Sequence, residues 1–214
     1  KSTLASCIVR LIDPTDGDIT INGKNISTLP PGPLRPYRSE FQIVFQDPYR
    51  SLNPRRTIEQ SLIEGPMNFG MSKVDAISKA GEILEIVGIS PDAMGRFPHQ
   101  FSGGQRQRIC IARAVVMEPK LIVADEAVSA LDVSVQKQVL DLFLDIRKRF
   151  GMAMLFITHD LRVAAQVCDR VVVMQHGKVV EQGITTDVYN NPQHPYTQDL
   201  LAAAPGRDVK FNQL

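Results

Sequence analysis

Apolar residues at Leu4, Ala5, Ile8, Val9 and Ile12 fall on one helical face, so residues 2–12 are expected to form a helix that breaks at Asp13-Pro14-Thr15-Asp16-Gly17. The alternation Asp18-Ile19-Thr20-Ile21 leading into Asn22-Gly23 predicts a short hairpin, and Pro30-Pro31-Gly32-Pro33 reads as a loop. Gln42-Ile43-Val44-Phe45 predicts a buried strand ending at Gln46-Asp47-Pro48. The pattern then changes. Between Thr57 and His99 the apolar positions, among them Ile77, Ala80, Ile83, Leu84 and Val87, follow a helical period, with Gly and Pro between segments. A further helix is expected from Ser102 to about Met117, where Pro119 stops it. Beyond it, strands and helices alternate: a strand at 121–124, a long helix at 133–150, a strand at 154–158 and a helix at 161–167. A hairpin follows, with arms 171–174 and 178–180 around Gln175-His176-Gly177.

This alternation argues for an α/β fold with a mostly parallel sheet covered on both faces, a small antiparallel β region and an inserted helical subdomain. The expected division is a nucleotide-binding core from 1–56 and 119–190, a helical subdomain from 57–118, and a C-terminal extension from 191–214 whose tail after Ala204 is frayed. A chain of 214 residues with 43% hydrophobic content suits one domain with an insertion. The 24 Lys+Arg against 23 Asp+Glu leave a net charge of +1, which offers no electrostatic case for nucleic acid. No apolar run is long enough to span a bilayer, and no secretory signal is read. Cys7, Cys110 and Cys168 lie far apart, with no neighbours at metal-ligand spacing, and are expected to be buried free thiols.

The candidate chemistry sits at strand ends and at one helix start. Asp125-Glu126 closes the apolar run Leu121-Ile122-Val123-Ala124, which places two carboxylates where open α/β sheets bind ligands. Asp125 would hold magnesium and Glu126 would orient and polarise an attacking water. Ser102-Gly103-Gly104-Gln105 opens a helix whose first N–H groups have no internal partners and are available to an anion. The glycines would permit close approach, and the basic Arg106, Arg108 and Arg113 suggest a negative group nearby, since cations at a helix start oppose its dipole. Lys1-Ser2 would supply a phosphate contact and a magnesium ligand. Gln46 would touch both magnesium and water, and His159, in Thr158-His159-Asp160, would donate to a γ-phosphate. The chain opens at Lys1 in the middle of such a motif, so its first strand and loop are expected upstream.

These elements together resemble the ATP-binding cassette proteins. Phe101-Ser102-Gly103-Gly104-Gln105 is similar to their signature motif, Asp125-Glu126 to the end of Walker B, and Ser129 to Asp132 to the D-loop. Likewise His159 is similar to the switch histidine, Gln46 to the Q-loop glutamine and Lys1-Ser2-Thr3 to the end of Walker A. Phe45-Gln46-Asp47-Pro48-Tyr49, Ser51-Leu52-Asn53-Pro54-Arg55 and Asn191-Pro192-Gln193-His194-Pro195-Tyr196-Thr197 resemble the oligopeptide and dipeptide importer branch, whose members also carry nickel or glutathione. The resemblance implies a P-loop NTPase-type fold and an ATPase using ATP and Mg2+. Glu126, His159 and Gln46 would be catalytic. Lys1, Ser2, Thr3, Ser102, Gly103, Gly104, Gln105 and Asp132 would contact nucleotide, and Ser2, Gln46 and Asp125 the metal. It further implies a head-to-tail pair with a second ATPase subunit, membrane permease subunits reached through the helical insert and the loop after Gln46, and an extracytoplasmic solute-binding protein acting indirectly. No nucleic-acid partner is implied, and the location is peripheral, at the cytoplasmic face of the bacterial inner membrane. The first strand, the Walker A glycines and an adenine-stacking aromatic are absent, as is a cysteine cluster beyond His194-Pro195-Tyr196. The chain alone is therefore expected to bind ATP poorly and to expose apolar surface beside the missing strand. The alternatives are a non-transport cassette ATPase of DNA repair or translation, or an inactive partial cassette.

Overall fold

A computed structural model describes residues 1–203; the expected frayed tail after Ala204 and the end of the 191–214 extension lie outside them. The chain forms two compact units, Ser2–Leu155 and, separately, Lys1 with the residues from Phe156 onward.

In the first unit, α1 (Ser2–Ile8) is shorter than its apolar pattern predicts. Arg10 takes φ +52 and is buried. Its guanidinium donates to the carbonyls of Ile26 and Leu29 and pairs with Asp13. These contacts take the chain out of the helix, and Leu11 and Ile12 emerge half-exposed instead of extending the buried face. β1 (Thr20–Ile21) and β2 (Lys24–Asn25) pair antiparallel around Asn22 and Gly23, whose φ values of +50 and +77 suit a tight hairpin turn. Part of the expected proline loop is a single helical turn, α2 (Pro31–Leu34), because proline fits the first helical position. β3 (Phe41–Val44) leads to Gln46 and then to α3 (Pro48–Ser51), which Asp47 caps by accepting from Tyr49 N at 2.8 Å.

α4 (Ile58–Asn68) and α5 (Lys73–Ile86) fill the expected helical region. Thr57 and Ser72 cap them, accepting from Gln60 N at 3.3 Å and Asp75 N at 3.1 Å. Their inner faces, including Ile58, Leu62, Ala76, Ala80 and Leu84, are fully buried against each other and against α6 (Gly103–Val115). β4 (Leu121–Asp125) is the central strand, and Ile122, Val123 and Ala124 are completely buried, as a strand covered on both faces requires. β3 runs parallel to it, with Phe41 opposite Leu121 and Val44 opposite Ala124. α7 (Val133–Phe150) starts at its Asp132 cap and ends at Gly151 in the left-handed region, with Arg147, Lys148 and Arg149 in its last turn. β5 (Ala153–Ile157) begins on the other side of β4, where Ala153 N donates to Lys120 O at 2.8 Å.

α6 packs against α7 through Gly104. A Cβ at Gly104 would lie 2.6 Å from Val135 Cγ1, whereas one at Gly103 would meet nothing within 4 Å. Gly104→Ala is therefore expected to destabilise the chain by about 1–3 kcal/mol through overpacking. Gly103→Ala should shift the thermal midpoint far less, and equal shifts would show that the α6–α7 contact is not tight.

The second unit contains α8 (Leu161–Val167), the antiparallel pair β6 (Arg170–Gln175) and β7 (Lys178–Ile184), α9 (Thr185–Asn190) and α10 (Pro195–Ala202). His176 and Gly177, both at positive φ, turn the hairpin. Tyr189 Oη donates to Leu161 O at 2.6 Å, tying α9 to α8. The Glu181 carboxylate accepts from Gln193 N at 2.8 Å and His194 N at 3.1 Å, and His194 Nδ1 accepts from Tyr196 N at 3.2 Å. The His-Pro-Tyr element is thus the capped turn into α10. Burial raises the affinity of Glu181 for its proton, but the Gln193 N–H, the Thr197 side chain and the His194 N–H together outweigh it and hold the carboxyl below its ordinary range.

Candidate functional site

Because β3 and β4 are parallel and in register at Val44 and Ala124, Gln46 and Asp125-Glu126 leave the sheet at the same edge. Ser2, at the start of α1, donates from Oγ to Asp125 Oδ1 at 3.1 Å. Gln46 Nε2 donates to Ser129 Oγ at 3.1 Å, and Ser129 Oγ donates in turn to Glu126 O at 2.9 Å. Five residues from three separate stretches therefore meet in two hydrogen-bonded groups, Ser2–Asp125 and Gln46–Ser129–Glu126. Glu126 has φ +50, a conformation that a side chain of this size rarely adopts. Ser129 opens the stretch similar to the D-loop, but its contact with Gln46 is not foreseen from the sequence; its hydroxyl is placed by the turn after Glu126, closed by Ser129 N on Glu126 O at 3.0 Å.

The Ser2–Asp125 contact brings a hydroxyl and a carboxylate oxygen together, hard donors of the kind magnesium takes alongside substrate phosphates. Among the described residues no group of three or more His, Cys, Asp or Glu is placed to enclose a metal by itself. The donor set thus fits a metal completed by a ligand rather than a closed protein cage.

Ser102 is exposed at the start of α6. Its Oγ accepts from Gln105 N at 3.3 Å, and Gln105 Oε1 accepts from Ser102 N at 3.0 Å. This capping box occupies two of the helix-start N–H groups. The two glycines play different parts: Gly104 is fitted against Val135, while Gly103 faces open space. Asp132 is spent in part on capping, its Oδ1 accepting from Val135 N at 3.0 Å, and Thr3 is exposed in the first turn of α1.

The expectation that three arginines gather an anion at α6 is overturned. Arg106 Nε donates to Pro98 O at 2.7 Å and Arg108 Nη1 to Val87 O at 2.8 Å, and Arg113 binds the Ser51 carbonyl. These partners are backbone oxygens, and Arg108 Nη2 donates also to Gln138 Oε1 at 3.2 Å, so the arginines brace α6 instead of marking a ligand. The cysteine expectation is also corrected: only Cys110 is buried, and Cys7 and Cys168 are half-buried. Burial pushes the Cys110 thiol up to about 11, with Arg113 pulling the other way.

In the other unit, Lys1 Nζ donates to Thr158 O at 2.8 Å, beside the exposed His159 that follows β5. Thr158 Oγ1 accepts from Asp160 N at 2.9 Å, which fixes the turn carrying His159. Hydrogen bonds from Arg162 hold the Asp160 carboxyl below its ordinary range.

The model of the ABC transporter family matches residues 1–129. The chain belongs to that family. The cassette is 50% identical over 206 residues to the glutathione import ATP-binding protein GsiA of Shigella dysenteriae serotype 1 (strain Sd197), covering 96% of this chain and 33% of the relative. GsiA of Escherichia coli (strain K12) matches with the same identity and coverage. The cassette spans about a third of the length of the curated relatives it matches. Among solved structures, cbiO1 from Clostridium perfringens, part of the ABC transporter complex cbiONQ, superposes with a TM-score of 0.79 at 28% identity, covering 89% of this chain and 74% of that one. The ATP-binding cassette MJ0796, a dimer in a post-hydrolysis state with ADP and Pi, gives 0.76 at 27% identity, covering 86% and 80%. The α/β fold expected from the alternating pattern, and its P-loop NTPase type implied by the motif resemblance, are therefore the fold of this chain. No helix among the described residues is long and apolar enough to cross a membrane.

Proposed function

We propose that the chain is the ATP-binding and hydrolysing part of a bacterial importer of short peptides. The observation that carries this reading is the Ser2–Asp125 hydrogen bond, which joins the start of α1 to the end of β4 in a chain half identical to glutathione import proteins. Glutathione is itself a peptide, which agrees with the importer branch that the Gln46 and His194 stretches resemble. Residues 57–118 serve as the helical subdomain between the two segments of the core, 1–56 and 119–190, and 191–214 forms the extension.

Lys1 contacts the β- and γ-phosphates as a point charge, while Ser2 and Asp125, with Gln46 nearby, hold Mg2+. When bound, that ion neutralises charge developing between the β- and γ-phosphates. Glu126 holds a water in line with the γ-phosphate and draws on its proton. His159 donates to a γ-phosphate oxygen, and Gln46 exchanges its Ser129 partner for ligand when nucleotide arrives. Thr3, Gln105 and Asp132 border the nucleotide. The remaining γ-phosphate donors, the Ser102 hydroxyl and the N–H groups of Gly103 and Gly104, come from a second ATPase subunit arranged head-to-tail; the dimeric MJ0796 cassette supports the pairing of two such subunits. Permease subunits dock on the apolar side chains of Phe45, Tyr49, Met67 and Phe69, all of them exposed, and the chain works at the cytoplasmic face of the bacterial inner membrane.

The test is uptake of labelled glutathione or a dipeptide into proteoliposomes holding the permease and the complete cassettes. Uptake should require ATP and cease with Asp125→Asn. ATP turnover without any peptide uptake, across a panel of short peptides, would remove the importer reading.

A further inference from the structure

We propose that Arg106 is a positioning residue for the start of α6, and that Tyr49 is the cap that holds it. The inference rests on the reading that the Ser102 helix start meets nucleotide phosphate. Arg106 lies in the second turn of α6 with only 9% of its surface exposed. Its Nε donates to Pro98 O at 2.7 Å and its Nη2 to His99 O at 3.3 Å. Those two carbonyls belong to the turn immediately before Ser102, whose own closure is Phe97 N on Gln100 Oε1 at 2.8 Å. The Tyr49 ring covers the guanidinium, with its centroid 3.9 Å from Cζ.

A guanidinium is planar, so it can donate along its edge while an aromatic ring covers its face. Arg106 uses both. Its edge fixes the backbone that delivers Ser102 and Gly103, and its face is closed by a residue of α3, three positions after Gln46. A buried cation needs such partners, because little water is left to solvate it. Two more ties join α3 to α6 farther along: Cys110 Sγ to Pro48 O at 4.0 Å and Arg113 to the Ser51 carbonyl. Of the three, Arg106 is nearest the helix start, so it decides how the free N–H groups there are aimed. A lysine supplies neither the fork nor the flat face, so Arg106→Lys is not conservative here.

Tyr49 is the better probe, because it is 63% exposed and its loss leaves no core cavity. In the complete ATPase, Tyr49→Leu is expected to lower kcat about tenfold while the affinity for a fluorescent ATP analogue on the same subunit stays within about twofold. Hydrogen exchange at residues 101–105 should quicken by about tenfold in the same variant, with the thermal midpoint unchanged. Tyr49→Phe keeps the ring and should restore both readouts. The proposal is overturned if Tyr49→Leu matches Tyr49→Phe in kcat and exchange, or if kcat falls only in step with nucleotide affinity. Ser102→Arg separates the two layers: normal turnover in that variant would remove the phosphate-binding reading itself, whatever Tyr49 does.

Discussion

Glu126→Gln is expected to leave ATP binding intact and to lower turnover by about 10²–10⁴-fold, the range that a positioned general base contributes. The substitution keeps the size and shape of the side chain, and the turn after β4 is closed on the Glu126 backbone carbonyl, which accepts from both Ser129 N and Ser129 Oγ. The Gln46–Ser129 and Ser2–Asp125 contacts are likewise untouched. What is lost is the group proposed to draw the proton from water. ATP should then persist between paired cassettes, so that a stable nucleotide-bound dimer accumulates on size exclusion. Rapid steady-state turnover by the variant would transfer the base role elsewhere, with His159 the next residue to examine.

Ser102→Arg is expected to abolish hydrolysis while sparing nucleotide binding to the subunit that carries it. Ser102 is exposed, so the change disturbs little packing. It removes one half of the capping box, which costs about 0.5–2 kcal/mol of helix stability, and it places a long cation at the positive end of α6. Ser2 and Asp125, proposed to hold the metal of the same subunit's nucleotide, bond to each other and not to Ser102. The measurement is equilibrium binding of an ATP analogue beside steady-state turnover. Loss of both together would contradict a helix start that serves the partner's nucleotide.

Element existence was legible in the chain wherever a local signal marked both ends. α7 and α8 begin at Asp132 and Asp160, whose carboxylates accept helix-start N–H groups, and α7 stops at Gly151, which takes the left-handed conformation its position demands. The acidic pair could be placed at a strand end because an unbroken apolar run precedes it, and β4 is indeed buried along that run. The failures share one cause. Arg10 ends α1 by reaching Ile26 and Leu29, and Arg113 braces α6 by reaching Ser51, 62 residues away. No periodicity carries information about such partners, so charges that read as ligand signals turn out to be internal braces. The two signature glycines show the same limit. Their letters are identical, yet one is required by Val135 and the other faces open space.

Glu126 sits in a backbone conformation that glycine would occupy at no steric penalty, whereas a glutamate there holds strain of about 1–3 kcal/mol. With Glu126 in its proposed role, folding and chemistry therefore select in opposite directions at one position. A lineage screened only for heat tolerance would be drawn toward glycine at that site and would become a sturdier protein that no longer does work. Persistence of the acid through such a history would itself record that the motor had been in use.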